Sequence, residues 1–184
     1  MDSMGMEVLQ ACVQWLRDGH ACEYVTVVRT WGSSPRPEGA TMAIRADGMV
    51  VGSVSGGCIE DDLIARVRDQ GLVRSAPEIL TYGISSEEAH RFGLPCGGTI
   101  VLAVEPLREH SRMPQLLERM QRRALTRRVL DLASGAVQLR DAGASEQLRL
   151  DDDTLATVHG PRMRLLIIGA GQLSQFLAQI AGAL

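Results

Sequence analysis

Val50-Val51-Gly52-Ser53-Val54-Ser55-Gly56-Gly57-Cys58-Ile59-Glu60-Asp61-Asp62-Leu63 reads as a strand end, a glycine-rich turn and the start of a helix. The helix is expected over 58–69, with Ile59, Leu63, Ile64 and Val67 on one face. Its first turns carry Glu60, Asp61 and Asp62, where the helix dipole favours negative charge. Glycine pairs occur where a chain turns sharply or lies close to something. Cys58 therefore sits where a thiolate is favoured and where Gly56 and Gly57 can offer N–H groups to a small anionic or sulfur-loving ligand. Glu60 is a candidate general base or a contact that holds the ligand's surroundings, or simply a first-turn acid. The plain alternative is that the glycines only turn the chain and the cysteine is a small buried hydrophobe.

A second loop repeats the pattern: Phe92-Gly93-Leu94-Pro95-Cys96-Gly97-Gly98-Thr99. Pro95 fixes a turn, and Gly97 and Gly98 follow the thiol. A third loop, Trp31-Gly32-Ser33-Ser34-Pro35-Arg36-Pro37-Glu38-Gly39, holds two prolines and two glycines in nine residues and excludes regular structure.

Around these loops the pattern alternates between helix and strand. Residues 6–18 read as a helix stopped at Gly19, with Cys12 on its apolar side, and Cys22 falls in the loop that follows. Strands are expected over 23–29, 41–46, 49–52, 79–82 and 99–105, with Asp47-Gly48 as a two-residue hairpin turn. Residues 113–125 read as a helix with Leu116, Leu117 and Met120 inward, and the arginines from 112 to 128 as a solvated face. Residues 129–132 and 136–139 form a hairpin about Ser134-Gly135, and the acid run 151–153 reads as a loop or helix start. His20, His90, His110 and His159 show no ligand spacing and are expected at the surface. The whole reads as an α/β domain, a mixed β-sheet with packed helices and the motif loops converging at one edge.

From Arg164 the character changes. Arg164-Leu165-Leu166-Ile167-Ile168 is an apolar run suited to a parallel strand buried on both faces. It leads into Gly169-Ala170-Gly171-Gln172-Leu173-Ser174 and an apolar helix, the opening of a dinucleotide-binding unit. Ser174 replaces the third glycine, and the acidic residue expected about twenty residues on falls past Leu184.

The composition bounds what the chain does. A length of 184 residues, 45% of them hydrophobic, suffices for one cored domain and a piece of another. The net charge of −3 and the 3% aromatic content argue against a nucleic-acid binder. All 19 basic residues are arginine, which excludes Schiff-base and P-loop lysine mechanisms. The four cysteines form no C-x-x-C pair, so neither structural zinc nor thioredoxin-like chemistry is supported. No apolar run reaches the length of a membrane span, and residues 1–5 lack the basic and apolar regions of a secretory signal, so the expected compartment is the cytoplasm.

The three loops, taken in order, resemble the N-terminal domain of the xanthine dehydrogenase accessory family, which includes a carbon monoxide dehydrogenase accessory branch. The resemblance covers residues 6–106 and resumes at Arg164, where the family's Rossmann domain begins. It implies an accessory domain over 1–160, followed over 161–184 by the first strand-turn-helix of a Rossmann domain. It further implies a chaperone, not an enzyme. Such a protein binds molybdenum cofactor (molybdopterin), protects it during sulfuration by a cysteine desulfurase and inserts it into a xanthine dehydrogenase-type apoenzyme. Carried over, Cys58 and Cys96 are the candidates for contact with molybdenum. Ser34, Arg36, Gly56, Gly57, Gly97 and Gly98 are the candidates for holding the rest of the cofactor, with N–H groups and Arg36 on its phosphate. A homodimer is expected, with neither nucleic acid nor membrane as partner. The alternative is an NAD(P)-dependent oxidoreductase using the Gly169–Gly171 turn, with Cys58 or Cys96 in catalysis.

Overall fold

The structure is a computed structural model, and it describes residues 3–32, 36–72, 74–83, 98–161 and 165–183. Strand β1 (Cys22–Trp31) organises it. Its run of Tyr, Val and Thr side chains is buried on both faces from Cys22 to Val28, as a central strand requires. It pairs on one side with β2 (Thr41–Arg45) and on the other with β5 (Thr99–Pro106). β3 (Val50–Gly52) and β4 (Glu78–Tyr82) complete a five-stranded sheet in the order β3-β2-β1-β5-β4. The β2–β3 hairpin turns at Asp47-Gly48 as expected, with Gly48 at φ 85°.

Two helices sandwich this sheet. Helix α1 (Ser3–Arg17) covers one face, joining Val8, Leu9 and Cys12 to Tyr24 and Ala43. Helix α2 (Cys58–Gln70) covers the other, joining Ile59, Leu63 and Val67 to Val25, Val27, Met42 and Ile44. Successive strand residues thus serve opposite cores, as the pleat demands. Cys12 is core, as expected; Cys22 is the first residue of β1 and buried, not a loop residue.

A second sheet follows: β6 (Thr126–Asp131), β7 (Val137–Asp141), β8 (Arg149–Leu150) and β9 (Thr154–His159), in the order β7-β6-β9-β8. It packs on the first through Val28 and Ala103 against Leu130, Val137 and Leu155. Helix α3 (Met113–Gln121) precedes it; the chain leaves the helix before Leu125 through Arg123, whose φ of 58° is left-handed. A buried ion pair crosses between the sheets. Arg128 Nη2 donates to both Glu105 oxygens at 2.5 and 2.7 Å, and each residue is 2% exposed. The arginines of this region are therefore not one solvated face: Arg119 pairs with Asp141, Arg127 with Glu146 and Arg122 with Glu118.

The helices and sheets bear out the α/β reading, with one change. Pairing is antiparallel throughout the described residues and falls in two sheets, where one mixed sheet was expected. The sequence-adjacent strands are close enough to fold back as hairpins, and no described crossover requires a parallel pair. Helix α4 (Gln172–Ala183) forms after the glycine turn, but residues 165–170 are not a strand. Leu166, Ile168 and Phe176 are exposed, Ile168 at 89%. A strand needs at least one hydrogen-bonded neighbour, and the described residues supply none there.

Candidate functional site

The strand ends bring the motif segments to one end of the first sheet. Trp31, at the end of β1, faces Thr99 at the start of β5. Tyr82, at the end of β4, faces Ile100, and Gly52, at the end of β3, faces Met42 near the start of β2. Thr99 Oγ1 donates to the Gly83 carbonyl at 3.2 Å, and the Ser53 N–H donates to the Thr41 carbonyl at 3.2 Å. Ser34, Cys96 and Gly97 lie outside the described residues. Gly98 is buried beside Thr99.

The loop from Gly52 to Cys58 is closed on itself by Glu60. Its Oε1 accepts the N–H groups of Val54, Ser55 and Gly56 at 2.9, 2.8 and 3.0 Å, and the Ser53 hydroxyl at 2.7 Å. Its Oε2 accepts the Gly57 N–H at 2.9 Å and the Ser55 hydroxyl. Gly57 caps α2 but has no side chain, so the capping interaction runs one way, from the Gly57 N–H to Glu60. Gly56 and Gly57, at φ 96° and 156°, have no atom within 4 Å of a built Cβ; backbone conformation, not crowding, calls for glycine there. Gly52 adds crowding: a Cβ would sit 2.4 Å from the Thr41 carbonyl oxygen.

The expectation of a glycine-rich nest around an anion is met from within the chain, because the anion is the Glu60 carboxylate. Burial pushes this carboxyl's pKa up, but the bonds from Ser55, Gly56 and Ser53 outweigh it and hold the group well below the usual carboxylate range. A carboxylate held so low is not a general base near neutral pH. The N–H groups of Gly56 and Gly57, expected on a cofactor phosphate, are donated to Glu60. The locked loop leads directly into Cys58, the first residue of α2.

Arg36 goes elsewhere. It borders a cavity of about 240 Å³ with Met4, Thr26, Thr41, Thr157 and His159. Thr26 and Thr41 are cross-strand partners in step with Tyr24 and Ala43, so they lie on the α1 face, opposite α2. Among the described candidates, Arg36 therefore borders the α1 face, whereas Gly56, Gly57 and Glu60 belong to the loop and first turn of α2, which covers the other face. His159, expected at the surface, is buried at the end of β9, and Thr157 Oγ1 lies 2.7 Å from its Nε2. Leu155, Thr157 and His159, two apart along β9, are all buried, but Leu155-Ala156 breaks any apolar–polar alternation, so the sequence carried no period-two signal for it. Trp31, expected in the third loop, is instead the last residue of β1 and is 76% exposed at the end that carries the motif loops. No group of three or more His, Cys, Asp or Glu suited to a metal ion occurs among the described residues, and no described helix is long and apolar enough to cross a membrane.

Residues 15–83, the stretch from the end of α1 through β4, match the model of the XdhC and CoxI family. The chain is 32% identical over 123 residues to the molybdenum cofactor insertion chaperone PaoD of Escherichia coli (strain K12), covering 63% of this chain and 36% of that protein. It is 29% identical over 99 residues to a probable xanthine dehydrogenase subunit from Bacillus subtilis (strain 168), covering 53% of this chain and 30% of that protein. The chain thus spans about a third of the length of the curated relatives it matches. A crystal structure described as a xanthine dehydrogenase from Bacillus halodurans shares the fold, with a TM-score of 0.63 at 23% identity over 85% of this chain and 52% of that one.

Proposed function

We propose that this chain binds molybdenum cofactor in its molybdopterin form and delivers it to a molybdenum hydroxylase of the xanthine dehydrogenase type. It holds the cofactor for sulfuration by a cysteine desulfurase, acts in the cytosol as a homodimer and turns over no substrate of its own. The observation that carries the reading is the Glu60-locked loop, which sets Cys58 at the start of α2 inside the segment matching the XdhC and CoxI family. The likeness to a protein named as an insertion chaperone supports the same reading. The donor set fits: a thiolate is a soft ligand, and by the logic of ligand softness it suits molybdenum or its labile sulfur. A loop already tied down by six hydrogen bonds loses little freedom when a ligand arrives. Cys96, Ser34, Gly97 and Gly98 complete the proposed site from the neighbouring loops.

The test is cofactor content. The protein is purified from cells making molybdenum cofactor and assayed for molybdenum and for the fluorescent oxidation product of the pterin. Near-stoichiometric cofactor in the wild type, lost in Cys58→Ala or Cys96→Ala, is the expected result. Full retention in both variants removes the cysteines from the site.

A further inference from the structure

The cavity on the α1 face has a construction of its own. About 240 Å³ is room for roughly eight waters, so it is too large for a structural water and suits a small organic molecule. Its polar groups converge from three directions. Thr26 and Thr41 come from the first sheet, Thr157 and His159 from the second, and Arg36 from the loop after β1. The four sheet residues are all buried, and Thr26 is only 4% exposed. The Thr26 hydroxyl is not one of the fully enclosed polar atoms left without a partner, so it opens onto the cavity that Thr26 lines. Arg36 Nη2 reaches the Met4 sulfur at 3.4 Å, which keeps the guanidinium at the cavity wall. Glu38 also borders the cavity, but its Oε1 is engaged by the Thr30 N–H at 3.2 Å. Leu148 and Val158 supply apolar wall.

Hydroxyls from two sheets with a guanidinium match a tetrahedral oxyanion better than a planar carboxylate, because the donors approach along different directions. We propose that this cavity binds a small organic phosphate, held by Arg36 and the hydroxyls of Thr26, Thr41 and Thr157. The site lies on the face opposite α2 and stands whether or not the Cys58 loop carries molybdenum.

The test is calorimetric titration of the intact chain with glycerol 3-phosphate, and with glycerol as the uncharged control. The expected result is saturable one-to-one binding of the phosphate and none of glycerol. Thr26→Val, which keeps the shape and removes the hydroxyl, and Arg36→Gln should each weaken binding at least tenfold while the unfolding midpoint stays put. Should Thr26→Val fail to fold, Arg36→Gln at the half-buried wall carries the test. The proposal is overturned if glycerol 3-phosphate does not saturate, if glycerol binds as well, or if the folded variants bind like the wild type. The readout contains no molybdenum and no pterin, so its failure is separate from failure of the cofactor reading.

Discussion

The Glu60 carboxylate and the Gly57 N–H meet at 2.9 Å across the start of α2, and this contact closes a ring in which every backbone N–H from Val54 to Gly57 points at one side chain. Glu60→Gln replaces one of the two acceptor oxygens by a donor that faces the Gly57 N–H or the Ser55 hydroxyl. The Gly57 N–H then loses its acceptor and the Ser55 hydroxyl must turn to accept instead, at a cost of ~1–3 kcal/mol in unfolding free energy. Urea unfolding measures this. Glu60→Gln should also load less cofactor than Glu60→Asp, which keeps the charge. Equal stability of wild type and Glu60→Gln would show that the ring is dispensable.

The same carboxylate sets a pH dependence. Its pKa in the folded chain lies below the ordinary Glu value of 4.5, so the folded state binds this proton less readily than the unfolded state. The stabilisation it gives is therefore fully present above about pH 4.5 and fades as pH falls toward the folded value. The stability gap between wild type and Glu60→Gln should be constant from pH 8 to about 5.5 and shrink below ~4.5. Glu23 acts in the opposite sense. Burial raises its pKa against the pull of Arg74, 3.1 Å away, so its own effect runs against that of Glu60. Comparing variants at one position, rather than whole-protein stability, isolates Glu60. A gap that widens on acidification contradicts the assignment.

Gly52 and Gly56 separate crowding from backbone strain. Both have positive φ, 88° and 96°, but only at Gly52 would a Cβ strike the Thr41 carbonyl oxygen at 2.4 Å and Val8 Cγ2 at 2.5 Å. Gly56→Ala should cost ~1–2 kcal/mol, the strain alone. Gly52→Ala should cost ~3–5 kcal/mol, because the β2 backbone must shift as well. Thermal unfolding of the two variants ranks them, and the reverse order would refute the account.

How much of this was legible in the sequence depends on how local the cause is. The Asp47-Gly48 turn and the start of α2 at Cys58 follow from neighbouring residues, and both are where the pattern puts them. Gly57 with Glu60 three residues on is half a capping box, and that signal was readable; that the same carboxylate would also gather Val54, Ser55 and Gly56 depends on how the loop folds back. Pairing of β1 with β5 joins residues such as Thr30 and Ile100, far apart in sequence, so the antiparallel order was not readable from either strand alone. The division of Arg36 from Cys58 depends on the pleat: Thr26 and Val25 are adjacent yet serve opposite faces. Residues 165–168 carry a strand-like pattern without forming a strand, because apolarity alone supplies no hydrogen-bonding neighbour.

Glu105 and Arg128 bind the two sheets together at a place where neither charge reaches water. Arg128→Ala strands the Glu105 carboxylate in the interior and should cost ~3–5 kcal/mol. Replacing both by apolar residues, Glu105→Leu with Arg128→Met, removes both desolvated charges and should cost much less, near neutral in the most favourable case. A double-mutant cycle by urea unfolding gives the coupling. Additive losses at the two positions would mean that the ion pair, for all its geometry, does not join the sheets energetically.

Three of the four thiols, Cys12, Cys22 and Cys58, should divide by reactivity. Burial, with Cys22 and Glu105 adding to it, raises the Cys12 pKa, and burial pushes Cys22 up to about 11. At pH 8 only about one thousandth of Cys22 is then thiolate, and the thiolate is the species that attacks iodoacetamide. Both residues are also closed off, Cys12 against Val8 and Leu9 and Cys22 at the base of β1. Cys58 is the first residue of α2, and the start of a helix is in general where a thiolate is favoured. Timed alkylation of the native protein followed by peptide mass spectrometry should therefore label Cys58 at least tenfold faster than Cys22 or Cys12, which should label only when the chain unfolds. Molybdate alone should protect none of the thiols, whereas purified molybdenum cofactor should protect Cys58. If Cys22 labels as fast as Cys58 in the folded chain, helix-start activation is not what distinguishes the cysteines.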